Sequence, residues 1–194
     1  MDREILLTGI GGQGVQLAAK TLALAGMLSG REVMQLSMFS GTMRGGSSEC
    51  TVVVADGPVE APPVVPWAWA AIAMHPAALE LTCGKLREGG AVLFNQSLVA
   101  APTGRPDCGW YGVEAGAIAA ARGNPQGQSL VALGAFCALT GIVQREALEE
   151  GLAQSLPSYR RDNLARNVEC IAAGAEAVAA VAGKHPAWNG NGAA

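Results

Sequence analysis

The chain is poor in charged side chains, since only 15% of its 194 residues are Asp, Glu, Lys or Arg. Thirteen basic and 16 acidic residues give a formal net charge of −3, and the basic residues are scattered along the sequence. A nucleic-acid-binding surface needs clustered Lys and Arg to neutralise phosphates, so no nucleic-acid partner is expected. Half of the residues are apolar, which is typical of a subunit whose faces are covered by other chains.

Long apolar runs are also missing. No segment approaches the roughly 18 to 20 unbroken apolar residues that a membrane-spanning helix requires. The sequence begins MDREILL, without the charged, apolar and small-residue regions of a secretory leader. We therefore expect no membrane association and a cytoplasmic location.

Closely spaced cysteine pairs are absent as well. A metal or cluster site formed by a short loop needs two thiolates near each other in sequence, as in Cys-x-x-Cys. The five cysteines are instead far apart: Cys50, Cys83, Cys108, Cys137 and Cys170. We expect buried thiols in a reducing compartment, and neither a metal nor an iron–sulfur cluster held by this chain.

Recognisable catalytic groups are few. The chain has two histidines, and His75 precedes a proline at a predicted helix start, which favours a capping role, while His185 lies near the C-terminus. The nucleophile elbow, the zinc-protease helix and the lysine-bearing phosphate loop are all missing. The sequence therefore predicts no catalytic residue.

Strand-like and helix-like segments alternate along the chain, and this alternation predicts an α/β fold. We expect a three-layer, Rossmann-like, mostly parallel sheet with helices on both faces and a helical C-terminal part from Glu114 onward. A helix is predicted from Pro76 to the glycine pair that ends LREGG. Residues 1–183 are predicted to form a single domain, and residues 184–194 a disordered tail. The predicted strands are EILLT, EVMQL, ECTVVVAD, WAWAAIAM, AVLFN and GWYGV.

A glycine-rich loop, GIGGQG, joins the first predicted strand to the first predicted helix. Its glycines let the backbone turn tightly and approach an anion, which free N–H groups and the helix dipole would attract. The predicted binding residues here are Gly9, Gly11, Gly12, Gln13 and Gly14. Two alternatives remain open at this point, a structural turn with no ligand and a nicotinamide-binding domain.

The nicotinamide alternative lacks one of its elements. It requires an acidic residue at the end of the second strand to bind the ribose. The residues after EVMQL are Ser37, Met38, Phe39 and Ser40, and Glu32 stands at the start of that strand. This arrangement disfavours a nicotinamide cofactor.

A second glycine loop contains Arg44, Gly45 and Gly46. In a doubly wound sheet the loops after the first and second strands emerge at one edge, so Arg44 is predicted to face the first loop. Its guanidinium offers a fork of donors suited to phosphate or carboxylate. An ion pair that pins the loop, or a contact with a neighbouring subunit, is the alternative.

Several segments taken together resemble the gamma subunit of the 2-oxoacid:ferredoxin oxidoreductases, a family related to the indolepyruvate oxidoreductase beta subunit. The resemblance extends from about Glu4 to Ala180. It rests on GIGGQG followed by AAK, MRGGSS, APPV before a tryptophan-rich strand, LREGGAVLFN and QSLVALGAF, in this order.

The resemblance implies a subunit, inactive alone, of a complex that converts a 2-oxoacid and coenzyme A to an acyl-CoA. In that family thiamine diphosphate and iron–sulfur clusters belong mainly to the other subunits, so alpha, beta and ferredoxin-like partners are expected here. Coenzyme A contact at the two glycine loops is expected, and so is a homo-oligomer in isolation. Many members carry an acid where this chain has Thr42. A free-standing nucleotide-binding or regulatory module and an NAD-linked reductase are the alternatives.

Overall fold

The computed structural model describes residues 2–39, 46–62, 64–100 and 105–181. Within them the chain forms a six-stranded sheet with the strand order β2-β3-β1-β4-β5-β6. The predicted tail, residues 184–194, lies outside the described residues. The strands are β1 (Asp2–Ile10), β2 (Glu32–Phe39), β3 (Ser47–Ala55), β4 (Ala68–Ala73), β5 (Leu86–Asn95) and β6 (Gly109–Val113).

The strand directions confirm the predicted mostly parallel sheet. One strand, β3, is reversed. Strands β1, β4, β5 and β6 are parallel neighbours, whereas β3 runs antiparallel to both β1 and β2. Strand β2 therefore points the same way as β1, and both end at the same edge of the sheet. The β-branched run Val52–Val54 is fully buried in β3, as its composition favours.

Helices cover both faces of the sheet, but unequally. The helices are α1 (Val15–Leu28), α2 (Leu79–Gly84), α3 (Ala115–Ala121), α4 (Gln128–Thr140), α5 (Arg145–Ser155) and α6 (Leu164–Ala177). One face, which includes Ile5 and Leu7, shares a large core with α1, α3, α4, α5 and α6. The other face, which includes Leu6, packs under Leu79 of the short helix α2. None of the helices in the described part of the chain has the length and apolar character of a membrane span.

Helix α4 lies at the centre of the large core. All residues from Ser129 to Cys137 are buried, so the helix has no solvent-facing stripe along this part. Helix α6 crosses it at two glycines, where Gly134 faces the Ile171 carbonyl and Gly174 faces the Val131 carbonyl. Because glycine has no side chain, the two backbones come into direct contact. This contact holds helix α6 against helix α4.

The helix predicted to extend into LREGG is wrong in its last part. Helix α2 ends at Gly84, and strand β5 already begins at Leu86. Leu86 is buried and pairs with Ala68 of β4, so tertiary burial outweighs the local helical pattern. Gly89 then adopts a positive φ of 71°, which ends any helical continuation and accompanies a shift of register between the two strands.

A buried carboxylate lies in the first strand. Glu4 is 6% exposed, and its Oε1 accepts a hydrogen bond from Arg87 Nη2 at 2.5 Å. Its Oε2 is buried and has no hydrogen-bond partner among the described residues. Burial raises the pKa of Glu4 above its ordinary value, and the charge of Arg87 acts in the opposite direction.

Replacing Arg87 with glutamine is expected to destabilise the fold in a pH-dependent way. The change removes the charge that stabilises the Glu4 carboxylate, so the folded-state pKa of Glu4 rises further. Because Arg87 is half-exposed, we expect a loss of about 1 kcal/mol of unfolding free energy near pH 7. The loss should vanish as the pH falls below the raised pKa of Glu4 in the unmodified folded protein, since the carboxyl is then protonated in both folded proteins.

Urea unfolding of Arg87→Gln and the unmodified protein at about pH 7 and about pH 4 measures this difference. Arg145→Gln is the matched control, because Arg145 pairs with Glu149 on the exposed surface of α5. An Arg87→Gln loss that is the same at both pH values would contradict the assignment of Glu4.

Candidate functional site

The glycine loop lies between β1 and α1, at the edge where β1 ends. Gly12 and Gly14 have φ values of 94° and 78°, a backbone region that residues with a side chain rarely adopt. At Gly9 an added Cβ would lie 2.7 Å from Gln13 Oε1 and 2.8 Å from Val15 Cγ2. Three of the predicted glycines are therefore required by backbone conformation or by close packing.

The Gln13 side chain holds this loop in place. Its Oε1 accepts the Ile10 backbone N–H at 3.0 Å, and its Nε2 donates to the Met74 carbonyl at 3.2 Å. Gln13 is also buried. Both ends of its amide are thus engaged within the protein, which ties the loop to the end of β4 and preforms it.

The first glycine loop meets Gly46, the last residue of the second one, at the sheet edge. The Gly11 N–H donates to the Gly46 carbonyl at 2.9 Å, and Ile10 lies opposite Ser47 in the β1–β3 pairing. Gly46 thus belongs to the same site as the first loop, in the way the strand directions predict. Arg44 and Gly45 lie outside the described residues.

Three helices begin at a cleft of about 310 Å³ in front of the glycine loop. Gly14 precedes α1, Ser129 is in the first turn of α4, and Asn163 precedes α6. None of these helix starts has a side-chain cap or an acidic residue in its first turn. The open start of α1 and the positive end of its dipole therefore favour an anion here, whereas α4 and α6 continue directly from the 3₁₀ turns Pro125–Gly127 and Ser158–Asn163.

The far wall of the cleft comes from the helical C-terminal part. Arg160 and Asn163 line it, together with Ser129 and with Asn124, whose Nδ2 donates to Asn167 Oδ1 at 2.8 Å. No acidic side chain is among the described residues that line the cleft. We did not predict these residues from the sequence, because they belong to no motif and come from separate helices. The basic pair in YRRDN is the one local signal that points to them.

Glu32, the acid closest to the position that a nicotinamide site needs, lies at the wrong edge. It opens β2 opposite Ala55, which in turn pairs with Asp2, at the edge where β1 begins. The glycine loop is at the other end of β1. Glu32 therefore has no access to a ribose bound at the glycine loop.

The remaining titratable candidates have structural roles. His75 Nδ1 accepts the Ala77 N–H at 3.2 Å and caps a short 3₁₀ turn, which confirms the predicted capping role. His185 lies outside the described residues. All five cysteines are free thiols, and burial raises the pKa of each, to about 11 for Cys108. Thiols with raised pKa values are poor nucleophiles at neutral pH.

Comparison with known proteins gives one consistent result. The family model "Pyruvate ferredoxin/flavodoxin oxidoreductase" matches residues 4–177. The 2-oxoglutarate synthase subunit KorC of Methanocaldococcus jannaschii is 32% identical over 160 residues, which cover 81% of this chain and 85% of that protein.

Solved structures share the fold. The gamma subunit of a keto/oxoacid ferredoxin oxidoreductase from Geobacter sulfurreducens superposes with a TM-score of 0.77 at 29% identity, over 93% of this chain and 98% of that one. A 2-oxoglutarate:ferredoxin oxidoreductase from Magnetococcus marinus, with 2-oxoglutarate, coenzyme A and succinyl-CoA bound, superposes with a TM-score of 0.81 at 23% identity, over 92% of this chain and 31% of that one. With a family model matched over most of its length, this chain belongs to the pyruvate ferredoxin/flavodoxin oxidoreductase family.

Proposed function

We propose that this chain is the gamma subunit of a 2-oxoacid:ferredoxin oxidoreductase complex that forms an acyl-CoA by oxidative decarboxylation. Membership of the family over residues 4–177 supports this proposal. Thiamine diphosphate and iron–sulfur clusters then belong to alpha, beta and ferredoxin-like partner subunits, and the isolated chain is inactive. A cytoplasmic location is part of the same proposal, and the free thiols of the chain support it.

The proposal assigns the diphosphate of coenzyme A to the two glycine loops. The observation that carries it is the preformed loop Gly9–Gly14, whose contact with Gly46 joins it to the described end of the second loop at the uncapped start of α1. Arg44, two residues before Gly46 in the sequence, is proposed to bind the charged oxygens of this diphosphate. The coenzyme A found in the Magnetococcus enzyme belongs to that protein, whose likeness to this chain concerns the fold.

The test is a coenzyme A titration of the assembled complex carrying Arg44→Ala. Loss of a charge-assisted, bidentate contact with phosphate should weaken the affinity for coenzyme A by about tenfold or more. Arg44→Lys should restore only part of it, because lysine keeps the charge without the planar fork. Arg145→Ala, an exposed arginine on α5, is the control with the same change in net charge. An unchanged affinity in Arg44→Ala would overturn the coenzyme A assignment.

A further inference from the structure

We propose that Ser129, Arg160 and Asn163 form a second wall of the glycine-loop cleft, beside Gly12 and Gly14, and bind a diphosphate group there. The identification of that diphosphate with the one in coenzyme A rests on the function proposed above. The binding site itself is argued here from the cleft alone.

Ser129 is the residue that points to a ligand. It is 3% exposed and lines the cleft, yet its hydroxyl makes no hydrogen bond within the described part of the chain. The hydroxyl is directed at the loop, since a Cβ added to Gly14 would lie 2.5 Å from Ser129 Oγ. The hydroxyl is therefore free to donate a hydrogen bond to a phosphate oxygen in the cleft.

Arg160 supplies the charge. Its guanidinium forms no ion pair with any described residue and lies 5.5 Å from the centre of the Tyr159 ring. Asn163 precedes helix α6 without capping it, so its side-chain amide is available to the cleft. Together with the open start of α1, these groups leave the cleft positive with no acid among its described lining residues.

The arrangement of donors favours a diphosphate over a single carboxylate. The lining of the cleft combines the backbone of Gly12 and Gly14 with the side-chain donors of Ser129 and Arg160. A carboxylate presents two oxygens in one plane, whereas a diphosphate presents charged oxygens toward both walls. A cleft of about 310 Å³ has room for such a group.

The first test measures inorganic pyrophosphate binding to the full chain by calorimetry. Arg160→Gln should weaken binding by about tenfold, and Ser129→Ala by about fivefold with an unchanged or higher melting temperature. Arg161→Gln is the matched control, since Arg161 is the adjacent exposed arginine and does not line the cleft. Equal losses in Arg160→Gln and Arg161→Gln, or no binding to the unmodified chain, would overturn the proposal.

A coenzyme A titration of the assembled complex separates this proposal from the function above. If pyrophosphate binding depends on Arg160 while coenzyme A binding is unaffected by Arg44→Ala and Arg160→Gln, the diphosphate site stands and the coenzyme A assignment fails. If coenzyme A binding depends on Arg44 but neither ligand depends on Arg160 or Ser129, the second wall is refuted and the function stands.

Discussion

Replacing Gly174 with alanine is expected to lower the free energy of unfolding by about 3 kcal/mol. The added methyl group would overlap the Val131 carbonyl oxygen of α4, and a backbone carbonyl within a buried helix cannot rotate away. The two helices must therefore separate, which opens the packing around them. Gly134→Ala should have a similar effect, because its methyl group would overlap the Ile171 carbonyl of α6.

Gly84→Ala is the matched control for this prediction. Gly84 is also helical, but an added Cβ there meets no atom within 4 Å. It should leave stability unchanged or raise it by about 0.5 to 1 kcal/mol, since alanine favours helix more than glycine does. Urea unfolding followed by circular dichroism measures all three variants. A Gly174→Ala protein as stable as the unmodified one would contradict the backbone contact between α4 and α6.

Replacing Gly14 with alanine is expected to abolish most anion binding and to cost about 1 to 2 kcal/mol of stability. The stability cost arises because alanine disfavours the φ of 78° at this position and because its methyl group would overlap Ser129 Oγ. The binding loss arises because the methyl group would point at Ser129 Oγ, 2.5 Å away, and force the hydroxyl out of its place in the cleft. Pyrophosphate affinity should fall by about tenfold or more.

Gly12→Ala separates the two contributions. Gly12 has a φ of 94°, but an added Cβ there meets no atom within 4 Å, so this variant carries backbone strain without the overlap. Adding Ser129→Ala to Gly14→Ala should recover part of the lost stability, because the remaining Ser129 Cβ lies 3.6 Å from the new methyl group. If Gly12→Ala and Gly14→Ala lose equal stability and Ser129→Ala recovers none of it, the close approach at Gly14 is contradicted.

The sequence predicts the parts of this fold that depend on local patterns. Strand β3 follows from its β-branched run, and the glycine loop follows from its spacing between a strand and a helix. The meeting of the two loops at one edge also follows, because β2 and β1 run in the same direction. The prediction fails at Leu86, where pairing with Ala68 outweighs a helical pattern.

The second wall of the cleft is not predictable in this way. Ser129 and Arg160 belong to segments with no motif, and they become neighbours because α4 and α6 touch at Gly134 and Gly174. Two glycines within helical patterns do not indicate which carbonyls they will face. The glycine loop is therefore predictable from the sequence, whereas the position of the second wall depends on a helix crossing that local patterns do not specify.

The cleft joins Gly14, near the beginning of the chain, to Arg160, near the end of its described part. A phosphate compound held between them would act as a clamp across the whole domain. Its binding energy would then add to global stability in proportion to the logarithm of its concentration. Unfolding of the last helix alone would release the compound even with the glycine loop intact.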